Sequence, residues 1–188
     1  MDRPGKLVAF GTTAWLAAAL VVGFLGLLAN AKPPAPQILI AVLTVGLLIL
    51  VSTVPHLKQW AATVPVRLLV VIHLTRFVGI YFLILAARGE LARSFAISAG
   101  WGDIAVAVTA LVLLFVVRPD TGKGRKLYLA WNVLGMVDIL LVVANAARTG
   151  FADPASMKAM LHLPLSLLPT FLVPIIIVSH VILFRRLK

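Results

Sequence analysis

The chain has 188 residues, 62% hydrophobic and 12% charged, and its 17 Lys and Arg against 6 Asp and Glu give a net charge of +11. A soluble domain is roughly 25% charged, so half that amount is too little to cover a globular surface, and a mean hydropathy of +1.08 agrees. These figures argue against a soluble enzyme, a disordered chain and a nucleic-acid-binding domain, and the absence of cysteine removes disulfides, thiolate metal sites and a thiol nucleophile.

At about 20 residues per transmembrane helix, the apolar runs predict six spans and little else. The first covers residues 7–29, after Arg3 and Lys6 and ahead of Ala29-Asn30-Ala31. Those flanks have the look of a signal peptide, but a signal's apolar core is only ~7–15 residues long, so the run is read as a retained span. Lys32 to Pro36 form a rigid turn, and span two covers 37–54. Pro55 to Trp60 break it, with Trp60 suited to an interface. Span three covers 66–87 and stops at Arg88-Gly89-Glu90. Span four covers 98–117, span five 127–147 and span six 161–184, with polar loops at Arg118 to Lys126 and Arg148 to Lys158.

With the N-terminus placed in the cytoplasm, eleven basic residues fall on that side: Arg3, Lys6, Lys58, Arg67, Arg118, Lys123, Arg125, Lys126, Arg185, Arg186 and Lys188. Lys32, Arg88, Arg93, Arg148 and Lys158 fall on the other, and Arg76 lies within a span. The Lys/Arg bias puts both termini inside, as an even number of spans requires. The surplus charge is therefore read as a topology signal with some contact to anionic headgroups, not as a nucleic-acid footprint. The expectation is an all-α polytopic bundle of six transmembrane helices, one domain over 1–188, in the cytoplasmic (inner) membrane.

Ionisable groups within spans are costly and so are candidate functional residues. Span three carries His73 and Arg76, three residues apart and on one face, with Leu69, Ile80 and Leu83 continuing the stripe. Span five carries Asp138 on a stripe with Trp131, Gly135, Val142 and Asn145. Arg76 and Asp138 have matching depth and opposite charge; they are expected to form a structural ion pair or a site for a charged substrate or a proton. In span four, Asp103 is expected near the outer end, wet or facing Glu90 or His162, above a small-residue seam of Ser98, Gly102, Ala105 and Thr109. Span six carries Pro164, Pro169 and Pro174, each freeing a backbone carbonyl, which at membrane depth must be re-satisfied by protein or a polar cavity. His162 and His180 lie five turns apart on it and cannot share a ligand. His73 and His180 lie at similar depth on different spans. They are candidate metal ligands, including bis-imidazole ligation of a b-type haem, with His56 as a third ligand nearby. No Gly-x-Ser-x-Gly appears, and Gly122-Lys123-Gly124 lacks the length of a phosphate loop.

His73-Leu-Thr-Arg76-Phe-Val-Gly79, Gly100-Trp-Gly-Asp103, Trp131-Asn132-Val-Leu-Gly135-Met-Val-Asp138 and Leu163-Pro-Leu together resemble a family of uncharacterised bacterial multi-pass membrane proteins. The likeness covers span three onward and implies membrane location without an activity.

The expected site is a polar cluster of spans three to six: Arg76, Asp103, Asp138 and Asn145 for ligand binding or proton relay, and His73 and His180 for a metal or haem. The functions it suggests are cofactor or small-ligand binding, or small-solute or proton-coupled transport. A structural role among other membrane subunits or in a homo-oligomer is a further alternative, and acid–base chemistry by Asp103, Asp138 and histidine a weaker one. The lipid bilayer is the expected partner and nucleic acid is not.

Overall fold

The computed structural model describes residues 3–188; the side chain of Arg3, one of the basic residues counted above, lies outside the described part. Among the described residues there is no strand, and six helices are long and apolar enough to cross a membrane. In chain order the α-helices are α1 Arg3–Phe24, α2 Ala35–Thr53, α3 Pro55–Thr63, α4 Val66–Val71, α5 Val78–Ala87, α6 Arg93–Val116, α7 Gly122–Ala152 and α8 Val173–Leu187. A 3₁₀ segment, Ile72–Phe77, joins α4 to α5 into one rod, and a π-helical segment, Leu168–Leu172, leads into α8.

Several boundaries differ from the sequence expectation. Helix α1 ends five residues early, where Gly26 takes a φ of +63° that suits glycine and turns the chain. The break after α2 is itself a helix: Pro55 sits at the first helical position of α3, where its missing N–H costs nothing. Helix α6 begins at Arg93, not Ser98. The last rod begins at Leu168, so Pro164 lies in the turn before it.

Two apolar cores stack along the bundle. One gathers Leu69 and Val70, Val106 and Ala110, Tyr128 and Trp131, and Ile182 and Leu183. The other gathers Phe82 and Leu85, Phe95 and Ala99, Ile139, and Val173 and Ile176. Along the α4–α5 rod, α6, α7 and α8 the chain passes from one core to the other, and at each crossing stand polar residues. His73 and Arg76 mark the first, Asp103 the second, Asn132 and Asp138 the third, and Ser179 and His180 the fourth.

The stripe expected on span three is broken by the 3₁₀ segment. A 3₁₀ turn advances about 120° per residue against 100° in an α-helix, so six such residues rotate the inward face by roughly 120°. Leu69, His73 and Arg76 are buried, but beyond the segment Gly79, Phe82 and Leu85 face inward and Ile80 is 48% exposed. On α6 the buried seam is Phe95, Ala99, Asp103, Val106 and Ala110. The expected seam lies on the neighbouring face: Ser98, Ala105 and Thr109 are exposed. Helix α5 meets α6 backbone to backbone, since a Cβ on Gly79 would strike the carbonyl of Gly100 and lie 3.0 Å from Asp103 Cβ. Helix α1 is largely exposed, and is fastened to the π segment by the indole of Trp15. Its Nε1 donates to the Thr170 carbonyl at 2.9 Å, and its ring meets Phe171 edge-on.

Candidate functional site

In a 3₁₀ helix, residues i and i+3 lie directly in line, so His73 and Arg76 project from one edge of the rod at two levels. Each level is completed by different partners.

The Arg76 level is an ion cluster. The guanidinium is 1% exposed and donates in three directions: Nε to Asp103 Oδ1 at 2.6 Å, one terminal nitrogen to the Gly135 carbonyl at 3.0 Å, and the other to Asp138 Oδ2. Arginine suits this role because its planar fork of five donors can satisfy several acceptors at once. Asp138 approaches because Gly102 leaves space: a Cβ there would collide with the Asp138 carboxylate. The expected pairing of Arg76 with Asp138 is thus half of a triad. Asp103 is not near the outer end with Glu90 or His162. Helix α6 starts five residues earlier than expected, which carries Asp103 about 15 Å along it and onto Arg76. His162 instead meets the carbonyl of Lys158 at 3.0 Å. Asn145 does not join the cluster; its Nδ2 donates to Ser98 Oγ at 2.7 Å, tying α7 to α6 elsewhere.

The His73 level is a ring cluster. The His73 and His180 ring centroids are 4.3 Å apart, and Trp131 lies edge-on to His73 at 4.9 Å. Ser179 Oγ spends its proton on the Ile176 carbonyl, so His73 Nε2 donates to Ser179 Oγ at 3.0 Å. His180 Nδ1 donates to Asn132 Oδ1 at 2.7 Å, and Asn132 Nδ2 returns a bond to the His180 carbonyl at 3.1 Å. His73 Nδ1 and His180 Nε2 remain buried without a hydrogen-bond partner. Gly135 joins the two levels: its carbonyl accepts from Arg76, and a Cβ on it would lie 2.7 Å from His180 Cε1. Sequence reading missed Asn132 and Ser179 as partners of the histidines; Asn132 sits three residues before Gly135 on the same helix face, which was the available signal.

These residues do not fit a haem between His73 and His180. Two axial imidazoles must stand on opposite faces of a macrocycle, whereas these rings are in contact at 4.3 Å and tilted by 51°. His56, the suggested third ligand, is exposed on α3. Among the described residues no group of three or more His, Cys, Asp or Glu is placed to hold a metal ion.

A pocket opens on the ion cluster. Its space is about 950 Å³ including its mouth, and Arg76 and Asp103 line its polar part. Its walls are apolar, with Ile40 of α2 and Ile139 and Val143 of α7 among them, together with Phe82, Leu168 and Val173. Pro33, Gly150, Pro154 and Met157 line the far end, next to the loops. Gln37 also lines it, and its Oε1 is buried without a partner. The histidine level does not line the pocket.

The family model described as "Domain of unknown function (DUF8737)" matches residues 33–188, and the chain belongs to that family. No curated protein and no solved structure matches the chain. The matched region takes in both polar levels and the π segment and leaves α1 outside.

Proposed function

We propose that this DUF8737 member is an integral membrane protein of six spans, with both termini in the cytoplasm of a bacterial cell, that binds a small, largely apolar ligand in the pocket ending on Arg76 and Asp103. The topology rests on the eleven basic residues assigned to the cytoplasmic side. The ligand reading rests on one observation: a pocket with apolar walls has Arg76 and Asp103 as its charged lining side chains. Binding sites for small molecules have this composition, with apolar walls and a few polar groups that fix orientation.

Filling the pocket tests it. Val143→Trp places an indole where the ligand would lie. Organic extracts of purified wild type are expected to contain a compound that is missing from extracts of Val143→Trp, with helical circular dichroism equal in the two. Identical extracts from both proteins would sink the reading.

A second reading, transport of that ligand, is favoured by two irregular segments within the long apolar rods, Ile72–Phe77 and Leu168–Leu172, which carry pocket-lining residues. Broken helices at a central site are a recurrent feature of transporters. Movement of the extracted compound into proteoliposomes, lost in Val143→Trp, is the expected result; uptake equal to that of protein-free liposomes removes this reading and leaves binding standing.

A further inference from the structure

We propose that the ligand is a protonated amine on a hydrocarbon tail, with the ammonium group on Asp103 and the tail along the apolar walls. This deepens the ligand-binding reading and rests on it.

The charge balance of the cluster points to a cation. One guanidinium faces two carboxylates, Asp103 and Asp138, so the triad has one formal negative charge more than positive. An anionic head would add a second unmatched charge where water is scarce and charge interactions are strong. A cationic head completes the balance, giving two cations and two carboxylates.

The free hydrogen-bonding groups point to a donor. Asp103 accepts from Arg76 through Oδ1, and its Oδ2 accepts nothing among the described residues. Gln37 Oε1 is a second unpartnered acceptor among the lining residues. Three of the five N–H groups of Arg76 are committed and two remain, so it is the charge balance that selects a cation over an acceptor. An ammonium group offers three donors and no acceptor, which suits the open oxygen of Asp103. The other polar lining side chain, Thr75, turns its hydroxyl to the Ile72 carbonyl at 2.7 Å.

The walls set the rest of the molecule. Ile139 and Gly150 both line the pocket and are eleven residues apart on α7, about 16 Å along the helix axis. An extended dodecyl chain has that reach. A free long-chain amine and a membrane lipid with an amine headgroup offer the same chemistry.

Three probes of one chain length separate the possibilities: dodecylamine, dodecanol and dodecanoate. Each is titrated into the full-length protein in phosphatidylglycerol nanodiscs at neutral pH, with empty nanodiscs as the blank, and bound protein is counted by native mass spectrometry. Dodecylamine is expected to bind one to one and at least tenfold more tightly than dodecanoate, and Asp103→Asn is expected to bring the two within threefold. Dodecanoate binding as tightly as dodecylamine overturns the proposal while leaving the pocket a ligand site. An unchanged ratio in a folded Asp103→Asn protein overturns it too. If that variant does not fold, the ranking on wild type decides alone. If none of the three binds saturably, the ligand reading fails, and this inference with it. Given amine preference, discs half composed of phosphatidylethanolamine assign the source. A several-fold weaker apparent affinity for dodecylamine supports a lipid headgroup as occupant, and an unchanged one supports a free amine.

Discussion

Arg76 is held by three acceptors on two helices, and each is there for a stated reason: α6 starts early enough to bring Asp103 level with it, Gly102 makes room for Asp138, and Gly135 turns its carbonyl inward. Removing one partner of a buried ion pair leaves an uncompensated charge, at a cost of roughly 3–5 kcal/mol. Asp103→Ala is therefore expected to lower the thermal unfolding midpoint in detergent by many degrees. The triple change Arg76→Leu, Asp103→Leu and Asp138→Leu removes the charges together, and is expected to be near neutral or stabilising while abolishing ligand retention. A triple variant as unstable as Asp103→Ala would contradict the idea that the cluster is kept for binding. Gly79→Ala is expected to cost about 1–3 kcal/mol through overpacking against the Gly100 backbone, read from the same unfolding curves. At this scale the sequence singled out residues that come together in the bundle, because so few ionisable groups sit within apolar runs, although Asn145 lies apart from them. It did not tell that Asp103 belongs with Arg76, because its depth depends on where α6 begins, and the first turn at Arg93-Ser94 carries no acidic residue or proline to mark it.

The rods are interrupted where polar side chains are presented. Helix positions are legible from a 3.6-residue period only while the period holds. The 3₁₀ turns at Ile72–Phe77 rotate everything after them, so Ile80, expected inside, is outside and Phe82 replaces it. Nothing in Ile-His-Leu-Thr-Arg-Phe marks that change of pitch. In the last rod, Pro174 cannot donate to the Thr170 carbonyl four residues before it, and the indole N–H of Trp15 supplies a bond there. The prolines made an unsatisfied carbonyl predictable; that its donor comes from α1 was not, since a contact across 155 residues leaves no local trace. Trp15→Phe keeps the ring against Phe171 and loses the donor, at an expected cost of roughly 1 kcal/mol. Pro174→Ala returns a backbone N–H, so Trp15→Phe is expected to cost less in that background. A double-mutant cycle on unfolding free energies measures the difference, and equal costs in both backgrounds would show that the indole bond does not serve the proline's missing donor.

Across the whole molecule, the number of long apolar helices was readable from composition and spacing, because 20-residue apolar runs have few alternatives. The charges at the ends turn out to have local duties as well. Arg125 donates to the Leu187 carbonyl at 2.8 Å and Arg186 to the Val64 carbonyl, closing the ends of α8 and α3. The proposed topology is directly testable because the chain has no cysteine to mask. A single cysteine at Lys158 is expected to react with a membrane-impermeant maleimide in spheroplasts, and one at Lys123 only after permeabilisation. The reverse pattern would invert the topology and put the pocket mouth on the cytoplasmic face.

The tight seam between α5 and α6, with Gly79 against Gly100 and Arg76 bonded to Asp103 just below, joins two rods that follow one another in the chain with only five residues between them. Order of synthesis gives that adjacency a meaning of its own. A ribosome delivering this chain releases Arg76 before its counter-ion, but Asp103 is on the very next segment to emerge. If the chain enters a membrane as proposed, a hairpin leaving the insertion machinery as a unit would carry the guanidinium already neutralised. The later arrival of α7 with Asp138 would then add the second carboxylate to a pair that is already formed.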